Sequence, residues 1–216
     1  MTMKEHGRPV IVLDFGAQYS KLIARRVREA KVFSIILPFD VSAGELRKHN
    51  PAAIIFSGGP ASVHASGAPL PDPGVFELGV PILGICYGLQ VFAHALGGKV
   101  ERSAKREYGI AHLAHADKTG FFEGVDELTQ VWMSHGDAVV EVPPGFTTIG
   151  KTDNCVHAAV ANPKAKLYGV QFHPEVVHTP QGTRILSNFV HNICGCPPDW
   201  DMGSFAEEAV ENIQAQ

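Results

Sequence analysis

From Val10 to Gly98 short apolar runs alternate with stretches whose apolar residues recur at helical spacing, and this alternation constrains the fold more than any other feature. Val10 to Leu13 ends in the turn-like Asp14-Phe15-Gly16, and Gln18 to Ala30 then carries Leu22, Ile23, Val27 and Ala30 on one stripe. Val32 to Leu37 and Ala52 to Phe56 read as strands, separated by a short helix that starts after the N-cap candidate Ser42 and runs through Arg47. Val80 to Ile85 is a further buried strand, and Gly88 to Leu96 is a helix stopped by Gly97-Gly98. Strands joined through helices lie parallel, with both sheet faces covered, so this half predicts an α/β fold.

The second half changes character. Val100 to Ala116, Gln130 to Met133, Ala138 to Val142, Cys155 to Ala161 and Leu167 to Phe172 read as strands with few helices between them, which predicts mixed or antiparallel edge strands. A helix is expected from Gln181 to Ile193, ended by Cys194-Gly-Cys-Pro-Pro, and an amphipathic helix within Asp199 to Gln216.

Composition narrows the function classes. Of 216 residues, 45% are apolar and the net charge is −4, so the chain has a core and lacks the basic field that draws phosphate backbones; nucleic acid is not expected as a partner. The longest apolar run, Val80 to Ile85, is far short of the roughly 20 residues of a membrane span, so no membrane association and a cytoplasmic location are expected. Four cysteines are too few for a disulfide scaffold, which frees a thiol for chemistry.

Gly84-Ile85-Cys86-Tyr87-Gly88 joins a strand to a helix in the form of a nucleophile elbow with Cys in place of Ser. The glycines allow a sharp turn and close approach, and the helix N-terminus favours a thiolate at Cys86. A lone cysteine is more often a small buried hydrophobe, and the flanking glycines are what set this one apart. His173-Pro174-Glu175 offers a base and its orienter, since side chains two apart on an extended segment share a side; an isolated His-x-Glu is equally a surface ion pair. Ser57-Gly58-Gly59-Pro60 follows a strand, so the Gly59 N–H and the Tyr87 N–H form a candidate oxyanion hole. On its own that tetrapeptide is a turn.

Together SGGP at Ser57 to Pro60, GICYGLQ at Gly84 to Gln90 and GVQFHPE at Gly169 to Glu175 resemble the class I (triad) glutamine amidotransferases over nearly the whole chain. The resemblance implies that family's flavodoxin-like α/β fold: a central, mostly parallel sheet with helices on both faces and antiparallel edge strands in the second half. It also implies a Cys86-His173-Glu175 triad that hydrolyses glutamine through a glutamyl thioester. Further segments, DFGAQYSKLIARRVRE from Asp14, MSHGD from Met133, EVVHTPQG from Glu175 and NICGCPPDW from Asn192, are similar to the amidotransferase domains of the bacterial GMP synthases. By that likeness Gln90 contacts bound glutamine, and Ser134, His135, Gly136 and Asp137 line its amino-acid end; an α-ammonium suits a carboxylate such as Asp137.

The same likeness implies residues 1–194 as the glutaminase domain and 195–216 as a connector to an ATP pyrophosphatase (synthetase) domain or subunit that binds XMP. ATP and magnesium belong to that partner; no cofactor and no metal are expected in this chain. Another amidotransferase's glutaminase, a γ-glutamyl hydrolase and a catalytically silent binding module are the competing readings. Asp14-Phe15-Gly16 lacks the loops of a kinase, and His191, Cys194 and Cys196 do not make a recognised zinc spacing. His112 and His115 read as ordinary histidines, and Cys155 as packing.

Overall fold

The structure is a computed structural model and describes residues 7–117 and 119–201, with the backbone alone at 104–106. Strands β1 (Val10–Asp14), β2 (Ser34–Pro38), β3 (Ala53–Phe56) and β4 (Ile82–Ile85) alternate with helices α1 (Ser20–Glu29), α2 (Ala43–Lys48) and α3 (Tyr87–Ala95). They are followed by β5 (Lys99–His115), β6 (Leu128–Glu141), β7 (Thr147–Lys151), β8 (Ala159–Asn162), β9 (Leu167–Val170) and α4 (Gly182–Asn188). All nine strands form one sheet in the order β2-β1-β3-β4-β9-β8-β7-β5-β6. The pairs from β2 to β9 are parallel and the remainder antiparallel. The α/β architecture with a parallel core and antiparallel far side is therefore as expected.

Period-2 alternation divides the core into two layers. Val10, Val12, Ala53, Ile55, Leu83 and Ile85 pack on one face, with Ile23 and Val27 of α1 and Ile185 and Leu186 of α4. Ile11, Leu13, Ile54, Phe56 and Ile82 pack on the other, with Leu46 of α2 and Leu89 and Phe92 of α3. The central strands are buried at nearly every position because helices cover both sides. Ser42 does cap α2, accepting from the Glu45 N–H.

Two expectations are corrected and one strand is added. Gln130 to Met133 and Ala138 to Val142 are parts of one strand, β6, because the polar residues between them pair with β5: Ser134 lies opposite Tyr108, His135 opposite Glu107 and Asp137 opposite Arg102, around a register shift. Cys155 to Ala158 is turn, and β8 starts at Ala159. Strand β7, Thr147–Lys151, has two exposed threonines and a glycine and lacks a continuous apolar signature. The last helical turn, Phe189–Ile193, continues α4 as a π-helix. The amphipathic helix expected within Asp199 to Gln216 lies outside the described residues from 202 onward.

Candidate active site

Cys86 ends β4 and caps α3 with φ 52° and ψ −105°, a left-handed backbone that an L-residue adopts only when its surroundings impose it. The surroundings are close packed. A Cβ on Gly88 would stand 2.5 Å from the Phe56 carbonyl oxygen, and one on Gly84 would stand 2.7 Å from the Gly88 carbonyl carbon. The elbow therefore needs both glycines, and it places Cys86 at the N-cap of α3, where the first N–H groups of a helix have no intrahelical partner.

The Cys86 N–H donates to the Val170 carbonyl at 2.8 Å, tying the elbow to the end of β9. His173 follows three residues later; its Nδ1 stands 2.7 Å from Glu175 Oε1, and it lines the same cleft as Cys86. Burial works against a charged ring, but the hydrogen bonds and charges of Cys86 and Glu175 outweigh it and push the His173 pKa up to about 11.

Segment 171–175 is not the extended strand expected from its spacing; β9 ends at Val170 and the chain turns. The turn is fixed from outside: the His173 N–H donates to the Trp132 carbonyl at 3.0 Å, Thr179 Oγ1 donates to the His173 carbonyl at 2.7 Å, and Arg26 Nε donates to the Glu175 carbonyl at 3.1 Å. Glu175 is 1% exposed, and its Oε2 has no partner among the described residues.

Gly58 lies against the pair: a Cβ there would meet His173 Cε1 at 3.0 Å and Cys86 Cβ at 3.7 Å. A Cβ on Gly59 would meet the Phe15 carbonyl oxygen at 2.6 Å and the Tyr87 ring at 3.3 Å. The loop is held because Ser57 Oγ accepts from the Phe15 N–H at 2.9 Å. Gly59 and Tyr87 thus sit together beside the thiol.

A cleft of about 800 Å³ opens over these groups. Cys86, His173, Gly59, Tyr87, Gln90, Ser134, His135, Gly136 and Asp137 all line it, so every candidate residue except the interior Glu175 meets one cavity. Gln90 Nε2 donates to the Asp137 carbonyl at 2.7 Å, which ties α3 to β6. His135 differs from expectation: both ring nitrogens are engaged inside the protein, with the Asp137 carbonyl and with Glu107. Burial pushes its ring below the usual histidine range.

Sequence reasoning passed over several neighbours. Gln171, fully buried, donates from Nε2 to Cys86 Sγ at 3.6 Å; it stands two before His173 in the quoted motif, and that spacing was the available signal. Arg102 and Tyr108 also line the cleft, brought in by the β5–β6 register, which no local pattern announces. The declined His191 turns its ring nitrogens to the carbonyls of Ala30 and Cys196.

Residues 11–193 match the model of the family described as glutamine amidotransferase class-I. The chain is 54% identical over 207 residues to the glutamine-hydrolysing GMP synthase of Aquifex aeolicus, covering 96% of this chain and 41% of that one. It is 52% identical over 205 residues to that of Acetivibrio thermocellus, covering 95% and 40%. The chain thus spans about two fifths of the length of these curated relatives. A solved Thermoplasma acidophilum protein described as a GMP synthase subunit superposes with a TM-score of 0.76 at 26% identity, over 99% of this chain and 100% of that one. A Thermotoga maritima glutamine amidotransferase shares the fold, with a TM-score of 0.67 at 17% identity, over 89% and 100%. With the family's elbow, His-Pro-Glu turn and glycine loop around one cleft, this chain belongs to the class-I glutamine amidotransferases.

Proposed function

We propose that this chain hydrolyses glutamine to glutamate and ammonia and supplies the ammonia to a synthetase domain or subunit that converts XMP to GMP. The observation that carries the reading is that His173, with Nδ1 2.7 Å from Glu175 Oε1, lines one cleft with Cys86, Gly58 being packed against both. The Cys86 thiolate attacks the amide carbon, forming a C–S bond, and the oxyanion lies against the N–H groups of Gly59 and Tyr87. The His173 imidazolium protonates the departing nitrogen, the C–N bond breaks and ammonia leaves. The neutral ring then takes a proton from water, whose oxygen attacks the acyl carbon; the C–S bond breaks, glutamate leaves with its carboxyl proton passing to solvent, and the thiolate and imidazolium are restored.

Asp137 pairs with the α-ammonium of glutamine, and Ser134, Gly136 and Gln90 complete that end of the cleft. His135 contributes backbone there, its ring being engaged elsewhere. Residues 1–194 form the glutaminase unit, and 195–216 lead to the synthetase, where ATP and magnesium act. The names of the relatives support the GMP assignment. No helix among the described residues is long and apolar enough to cross a membrane, and the four thiols are free, as suits a reducing cytoplasm.

The test is ammonia release from glutamine, with and without an added GMP synthetase domain, XMP and ATP. Release is expected from the chain, stimulated by the full partner mixture. Release that the mixture leaves unchanged argues against the GMP assignment, and no release under any condition argues against the chemistry.

A further inference from the structure

Behind the cleft wall lies a second cluster of donor atoms. Glu107 on β5, His135 on β6 and Cys155 in the turn before β8 bring a carboxylate oxygen, a ring nitrogen and a sulfur within 4.8 Å of one another. The three residues are 8%, 4% and 3% exposed. They come from separate segments, which is why no spacing in the sequence signals them.

The hydrogen bonds of His135 leave one pair of atoms that needs a proton or a metal ion between them. Its Nδ1 stands 3.1 Å from the Asp137 carbonyl oxygen, and a carbonyl only accepts, so Nδ1 carries the proton. In the neutral ring Nε2 is then a lone pair, and it faces Glu107 Oε2 at 3.2 Å. Two acceptors turned toward each other away from water repel unless a positive charge lies between them. A proton meets that need, and so does a metal ion, but only a metal ion also employs the adjacent sulfur of Cys155.

The outer contacts match those of a built metal site. A metal-ligating imidazole usually donates its other N–H to a carbonyl or carboxylate, as Nδ1–H does here. Thr152 Oγ1 donates to Glu107 Oε1 at 3.3 Å and accepts from the Cys155 N–H at 3.0 Å, so one hydroxyl braces both the carboxylate and the thiol loop. A set of one nitrogen, one sulfur and one oxygen suits a borderline-soft ion, and one thiolate with one carboxylate balances a double charge. A metal binds the thiolate, so the Cys155 thiol proton passes to water as the ion binds.

We propose that Glu107, His135 and Cys155 form a site for a divalent ion of the zinc type, with a water molecule as the fourth ligand. The ion clamps the wall segment 134–137 to the turn 152–155 and so stiffens one side of the cleft.

Cobalt(II) is the probe, added to chelator-treated protein in which Cys86→Ser removes the cleft thiol. The expected result is one equivalent bound, with a thiolate-to-cobalt charge-transfer band, tetrahedral visible bands and a raised Tm. A further Cys155→Ser abolishes the charge-transfer band, and Glu107→Gln in place of it weakens binding by at least about tenfold. Folded protein that binds no cobalt overturns the proposal, because a proton alone then lies between the acceptors. So does a band that survives Cys155→Ser, which puts the ion on Cys194 or Cys196. If Cys155→Ser prevents folding, as read by circular dichroism, an affinity unchanged in Glu107→Gln overturns the proposal by itself.

Discussion

The backbone N–H of Cys86 donates to the carbonyl of Val170 at 2.8 Å. This bond extends the parallel pairing of β4 with β9, in which Gly84 faces Gly169 and Ile85 faces Val170. The two strands therefore end side by side: one turns into α3 behind the thiol, and the other into the His173-Pro174-Glu175 turn. Sheet register thus brings together the residues of the proposed triad, and the glycines let α3 pack directly on the two strand ends. A Cβ on Gly169 would lie 2.6 Å from both Leu89 Cδ1 and Phe92 Cζ of α3.

Glu175→Gln preserves shape and removes the charge that orients the His173 ring. Glutaminase kcat should fall by roughly 10² to 10⁴, since acid–base catalysis with a correctly held imidazole contributes on that order. Steady-state ammonia release, with circular dichroism as the control for folding, measures it.

The raised His173 pKa has a defined sign in stability. A ring shifted from 6.5 to about 11 binds its proton more tightly in the folded state, so its contribution is complete below pH 6.5 and is lost as the pH climbs through about 11. The advantage of wild type over His173→Gln in urea unfolding should shrink progressively across that window. Cys86→Ala should flatten the trend, because the Cys86 hydrogen bond is the largest contribution raising the pKa.

Gly182 holds the His173-Pro174-Glu175 turn from behind. A Cβ there would collide with the Pro174 carbonyl, so Gly182→Ala must move the backbone between His173 and Glu175. Activity should drop at least about tenfold, through misplacement of the ring, and stability by about 1–3 kcal/mol, as for other overpacked sites. Ammonia release and a denaturant melt read the two effects.

Cys86 keeps its φ of 52° against the preference of an L-residue. Relative to Cys86→Ala, Cys86→Gly should raise the unfolding free energy by about 1 kcal/mol, the relief of backbone strain exceeding the added freedom of glycine in the unfolded chain. Both variants should be inactive. A matched pair of urea titrations gives the difference.

What was legible in the sequence was whatever local pattern encodes. The five parallel strands and α1 to α3 carry unbroken apolar runs or a helical stripe, and Cys86, Gly59, His173 and Glu175 lie at strand ends marked by glycine or proline. Glu107, Arg102 and Tyr108 escaped because their positions depend on how distant segments meet, above all on how β5 pairs with β6, whereas Gln171 lay within a quoted motif and was passed over. Strand β7 escaped because it is exposed at Thr147 and Thr148 and pairs at a sheet junction where burial is partial.

The central claim is that Cys86 carries the glutamyl group. Incubating the folded chain with a glutamine-mimicking chloroketone and mapping the product by mass spectrometry tests it directly. The account predicts a single adduct on Cys86, prevented by excess glutamine and absent from Cys86→Ala. An unmodified Cys86, or an adduct on another cysteine that glutamine does not block, would contradict it.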